Sequence, residues 1–123
     1  MKELTSLTVA ELVNDFRHAC LKQYKTYLDE DIRQRNKLFD VLLSVTRELK
    51  RRGVEERRAM MALLSDANPQ VRFQAANFVY SVAPVEAKAC LERLAAAGLP
   101  NQSLAAGMTL SGLEDDPRCL DWI

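Results

Sequence analysis

Histidine occurs once in this sequence, at His18, and the three cysteines, Cys20, Cys90 and Cys119, lie far apart. No Cys-x-x-Cys, His-x-x-x-His or Glu-x-x-His spacing is present, so neither a structural zinc site nor a di-iron site has local support. An odd and scattered cysteine set suits free thiols in a reducing compartment better than a disulfide framework. Gly53, Gly98, Gly107 and Gly112 each stand alone, which excludes a glycine-rich loop cradling phosphate. No apolar run approaches the roughly 20 residues of a membrane span. Met1 to Thr8 holds one lysine and no hydrophobic stretch, so no signal peptide is expected and the cytoplasm is the expected address.

A net charge is also missing. Seventeen basic and seventeen acidic residues cancel, and the chain therefore has no global field to attract a polyanion. Residues 1–67 carry 13 Lys/Arg and 11 Asp/Glu against 4 and 6 in residues 68–123, a split of +2 and −2 too small to select a partner. Catalytic constellations are absent as well. His18 and Cys20 are two residues apart, which puts them on different faces of a helix and argues against a local Cys–His pair. Asp29, Glu30 and Asp31 read as a solvated helix start rather than a cation site. No catalytic, cofactor-binding or metal-binding residue is expected, and the chain is not expected to be an enzyme.

What is present is helical periodicity. The 123 residues, 48% apolar and 28% charged, fit one globular domain. Thr8-Val9-Ala10-Glu11 is a capping-box pattern, with Leu7 and Leu12 placed as a hydrophobic staple. It predicts a helix over about 9–27 with Leu12, Phe16, Cys20 and Tyr24 as its stripe, widened by Val13 and Ala19. A second helix over about 31–52 follows a short connection, with Leu38, Leu42, Val45 and Leu49 in line and Phe39, Leu43 and Thr46 beside them. It ends in Lys50-Arg51-Arg52 with Gly53 as the stop, and the pair reads as an antiparallel hairpin. A third helix is expected over about 54–65, with Ala59, Met60, Leu63 and Leu64 buried. Asn68 and Pro69 cap and open a fourth over about 69–82, whose buried face is Val71, Ala75, Phe78, Val79 and Val82. A fifth, about 84–97, carries Ala87, Cys90, Leu91 and Leu94, and Gly98 closes it. The sixth, about 101–111, carries Leu104, Ala105 and Met108. No convincing period-2 run appears, so the fold class is all-α. Residues 1–112 are expected to form the domain, with 113–123 as a C-terminal tail. Leu120, Trp122 and Ile123 are expected to fold back onto a helix face.

The segment Leu63-Leu64-Ser65-Asp66-Ala67-Asn68-Pro69-Gln70-Val71-Arg72-Phe73-Gln74-Ala75-Ala76 resembles the core of a HEAT repeat, an armadillo-like helical repeat. That pattern ends its first helix in leucines, turns on Asp and Pro, and opens its second helix with Val-Arg and small residues. Val82-Ala83-Pro84-Val85-Glu86-Ala87 repeats the logic weakly, without a second Asp/Val-Arg turn. The resemblance implies a HEAT-like α-α superhelix of about six helices, its long N-terminal hairpin acting as a cap. Over about residues 9–112 the chain also resembles a small bacterial family of unknown function. The likeness rests on Asn36 in the hairpin, Asn68-Pro69-Gln70-Val71-Arg72, Ala83-Pro84-Val85-Glu86-Ala87 and Leu91.

These features point to a protein-binding module. The expected partner surface is Arg72, Gln74, Asn77 and Tyr80 on the less apolar side of the fourth helix, with Arg51, Arg57 and Arg58 and, in the tail, Trp122. The partner is another protein, with a toxin neutralised by an immunity protein or antitoxin as the concrete case. A monomer or weak homodimer is expected, with no membrane association. The competing reading is a HEAT-like nucleic-acid-binding protein or DNA-repair-type enzyme. Its basis is the run Arg47, Lys50, Arg51, Arg52, Arg57 and Arg58. Nucleic acid is not the expected partner, because Glu48, Glu55 and Glu56 interrupt that run and only 7% of residues are aromatic.

Overall fold

A computed structural model describes residues 3–122 of the protein. Among them are six helices and no strand: α1 Val9–Asp29, α2 Ile32–Arg52, α3 Val54–Arg58, α4 Pro69–Val79, α5 Pro84–Ala96 and α6 Gln102–Asp115. Short 3-10 segments occupy Leu4–Ser6 and Ala59–Ser65. The chain forms two compact units that divide after Met60.

The first unit is the α1–α2 hairpin followed by α3. Thr8 opens α1 with the full capping box: its hydroxyl accepts from the Glu11 N–H at 3.1 Å, and the Thr8 N–H donates to the Glu11 carboxylate at 2.9 Å. Leu12, Phe16, Ala19 and Cys20 are buried as the periodicity predicts, but Tyr24 is 40% exposed and Gln23 takes the interior position. A four-residue step overshoots the helical turn, so Tyr24 has rotated about 120° from Leu12 while Gln23 lies only about 20° away. The connection turns on Glu30, held in the left-handed region at φ 53°, and Asp31 then caps α2 by accepting from the Gln34 N–H at 3.0 Å. Of the three acidic residues in that stretch, only Asp31 acts as the start of α2.

Polar contacts lock the hairpin just past this turn. The Arg35 guanidinium donates from Nε to the Thr26 hydroxyl at 3.0 Å and from Nη2 to the Thr26 carbonyl at 3.3 Å, and it lies 3.7 Å from the centre of the Tyr27 ring. The Gln23 amide donates to the Arg35 carbonyl at 3.1 Å. Farther along, Leu38, Leu42, Val45 and Leu49 are buried in the register their spacing predicts. Gly53 ends α2 and starts α3 at φ 145°, where a Cβ would be strained and would also meet the Glu56 carboxylate.

In the second unit, Asn68 caps α4. Its side-chain oxygen accepts from the Gln70 and Val71 N–H groups at 2.8 and 3.2 Å, while the Asp66 carboxylate accepts from the Asn68 N–H at 3.0 Å. α4 is buried along most of its circumference, including Gln70, Gln74 and Asn77, and ends at Val79 rather than Val82. Pro84 holds Ala83 out of the helical region, and Ala83 closes the turn onto the Val79 carbonyl at 2.9 Å. α6 outlasts its expected end at 111, because Leu113 buries another turn beyond Gly112 and only Pro117 stops the helix. Its inward residues are Gln102, Ala106 and Leu113, whereas Leu104 and Met108 are 68% and 67% exposed. A helix apolar on every side gives the sequence no clue to its inner face. Gln102 faces inward because its amide donates to the Gln70 side-chain oxygen at 2.8 Å.

Glu48 is the buried carboxylate of the first unit. Both Arg51 and Arg52 donate to it, at 2.6–3.0 Å, and these hydrogen bonds hold its pKa down to about 2 against an ordinary 4.5. Because the folded value is the lower one, its stabilisation is complete above the unfolded pKa and is lost as pH falls toward 2. Glu48→Gln should therefore lower stability by a constant amount above about pH 5, and the gap to wild type should close in acid. Urea titrations at several pH values measure this, and a gap independent of pH would contradict it.

Candidate docking groove

A groove of about 760 Å³ runs along the first unit between α1, α2 and the N-terminal 3-10 segment. Its α1 wall carries Asp15, His18 and Lys22, spaced i, i+3 and i+7 and therefore on one helical face. Its α2 wall carries Asp40 and Ser44, one turn apart, and all five of these side chains are solvent-exposed. The floor is apolar: Ala19, Leu38 and Val45 are buried, and Val41 lies 43% exposed. Glu3 and Leu4 form one end of the groove. That end is tethered by Arg52, whose guanidinium donates to the Leu4 carbonyl at 3.0 Å while its Nε holds Glu48.

A serine, a histidine and two aspartates share the groove. Among the described residues no hydrogen bond joins Ser44, His18, Asp15 or Asp40 to one another. No group of three His, Cys, Asp or Glu side chains able to hold a metal ion occurs among the described residues. The cysteines are free thiols. Cys90 is buried with its Sγ 3.6 Å from the Leu64 carbonyl, and burial pushes its thiol pKa up, away from the nucleophilic thiolate.

The residues singled out from sequence are divided between the two units and do not form one described surface. Arg51 is exposed but committed to Glu48, and Arg58 is exposed. Arg57, Gln74 and Asn77 are corrected: they are 3%, 7% and 8% exposed and unavailable as a surface ridge. The amphipathic reading of α4 fails because the helix is covered on most sides, which draws its polar residues inside. The Asn77 side-chain oxygen and the Arg72 Nε are buried without a hydrogen-bond partner, and Tyr80 is half-buried. Trp122, 44% exposed, lies edge-on to Phe78 with ring centres 5.1 Å apart at 85°, and Leu120 is buried. Ile123, expected to join them, lies outside the described residues. The groove itself is missed by motif reading because its residues match no catalytic or metal spacing. Its signal is the polar stripe Asp15, His18, Lys22 facing Asp40 and Ser44 around an unburied Val41.

The model of a domain of unknown function, DUF2019, matches residues 10–114. The chain belongs to this family. Among solved structures it is similar to the crystal structure of the protein RPA1889 from Rhodopseudomonas palustris CGA009. The two share 34% identity over 94% of this chain and 96% of that one, with a TM-score of 0.88. No curated protein matches the chain. The family therefore accounts for the helical fold across both units and brings no activity with it.

Docking of Trp122 on Phe78 has a measurable consequence. Trp122→Ala should destabilise the protein by about 0.5–1.5 kcal/mol for the lost edge-to-face contact, plus its share of burial. Urea unfolding followed by circular dichroism tests this. In the wild type, the fluorescence of the sole tryptophan should change together with the helical signal.

Proposed function

We propose that this chain is a non-enzymatic protein–protein interaction module that receives a helix or loop of a protein partner in the α1–α2 groove. The observation carrying this reading is an apolar floor, with Val41 open to solvent, ringed by exposed groups of both signs. An apolar strip with a charged rim is how amphipathic helices are recognised. Mixed charge on the rim favours a protein over a polyanion. The nucleic-acid reading loses much of its motivation, since Glu48 neutralises two of the arginines on which it rests.

The concrete form of the proposal is an immunity protein or antitoxin of the bacterial cytoplasm that occludes a toxin. It is supported by small size, the absence of a catalytic constellation in the groove and membership of an uncharacterised family. No described helix is long and apolar enough to cross a membrane. The HEAT-like reading of the Asn68-Pro69 turn belongs to the same proposal: the turn is capped as such a repeat requires, and α4 and α5 pair beyond it.

Val41→Glu tests the groove. Placed in a binding hot spot, the charge should weaken partner capture by about 30-fold or more, equivalent to roughly 2 kcal/mol. At a half-exposed site it should move folding stability by no more than about 0.5 kcal/mol. Capture of a co-encoded toxin by wild type and not by the variant supports the proposal. Equal capture by both moves the interface elsewhere. Retention on heparin that falls steeply with salt would instead revive phosphate recognition.

A further inference from the structure

We infer that the outward face of α6 is the seat of a second copy of this chain, the two α6 helices packing antiparallel across a two-fold axis. Three observations converge on this face. The first is its composition: Gln102 to Leu113 contains no charged residue in a chain where 28% of residues are charged. Away from the buried Gln102, Ala106 and Leu113, Leu104 and Met108 stand 68% and 67% exposed, one turn apart. A helix apolar on all sides is normally covered on all sides, and here one side is bare.

The second observation is Gly107, between those two side chains in the middle of the helix. Glycine is among the least favourable residues inside a helix, and a Cβ at this position would meet nothing within 4 Å. No contact within the chain requires it. With Ala95 of α5, Ser103, Ser111, Gly112 and, at the acidic end, Asp115, it lines a shallow depression beside the Leu104 and Met108 side chains. Knobs and notch on the same face are what an isologous interface needs, because the two-fold axis sets each copy's knobs against the other's notch.

The third observation selects the partner and its direction. α6 has no side-chain cap at Asn101 and no acidic residue in its first turn. Its carbonyl end has no basic residue, and carries Glu114 and Asp115 where the helix dipole is already negative. The carbonyl end is thus left with the wrong charge for its own helix, and the N-terminal end with no compensating charge. Antiparallel pairing brings the acidic end of one α6 to the uncompensated N-terminus of the other, and does so twice by symmetry. α6 spans about 21 Å, short enough for both end contacts to form around a crossing near Gly107. Association through a single helix face is expected at high concentration.

Sedimentation equilibrium of the full chain, from about 10 μM to about 1 mM, tests this. The weight-average mass should climb from 13.9 kDa toward twice that value. Gly107→Leu, which fills the notch but enters open space in the monomer, should keep its helical circular dichroism and remain at the monomer mass throughout. Met108→Glu, at an exposed position, should do the same and decides the matter alone if Gly107→Leu loses helicity. A wild type that is monomeric up to the highest concentration, or a dimer that survives Met108→Glu, overturns the inference.

Discussion

A carboxylate enclosed within helices must find cations that can reach it without being stripped of their own partners, and Glu48 meets that condition with Arg51 and Arg52 of its own helix. Neighbours at i+3 and i+4 are the ones a helix places on the same face, so the clamp forms as α2 forms. The cations also sit at the negative end of the α2 dipole. Arg52 then extends the clamp to the carbonyls of Leu4 and Thr5, across 48 and 47 residues of sequence. The end of the α1–α2 groove is made of Glu3 and Leu4, and its position thus depends on a charge pair several turns away on another element. Two of the six cations in the basic run that suggests a polyanion site, Arg51 and Arg52, are accounted for by this pairing.

In the second unit a neutral pair plays the corresponding part, although the Asn77 side-chain oxygen and the Arg72 Nε stay buried without a hydrogen-bond partner. Gln70 and Gln102 meet across α4 and α6 and orient a helix that hydrophobicity alone leaves free to rotate. That orientation turns Leu104 and Met108 outward and creates the bare face. The two candidate surfaces are accordingly of different kinds. The hairpin groove is apolar at its floor and charged of both signs at its rim, which suits a foreign chain with complementary charges. The α6 face is uncharged along its length and uncompensated at its ends, which suits a copy of itself.

Local signals in the sequence were sufficient for elements whose determinants are local. The capping box at Thr8, the Asn68-Pro69 start, the breaks at Gly53 and Pro84, and the apolar registers of α2 and α5 are short-range chemistry, and each reappears in the structure. Errors fall where the determinant is distant. Tyr24 and Gln23 exchanged roles because a four-residue stripe drifts around a long helix. Arg57, Gln74 and Asn77 are polar yet buried, because the coverage of a helix depends on what packs around it and not on the polarity of its own residues. The groove had no spacing signature, since its two walls are 18 to 29 residues apart along the chain, from Asp15 and Lys22 to Asp40 and Ser44.

The sequence by itself determined that the described residues are built of helices and turns, and where the main helices start. Each of these follows from interactions within a few residues of one another: caps, turn formers and helical periodicity. Only the tertiary structure decided which face of each helix looks outward, which polar residues are enclosed in pairs, and which exposed residues share a surface. Those outcomes rest on contacts between elements, where a rotation of one residue position, about 100° on a helix, changes a buried side chain into an exposed one.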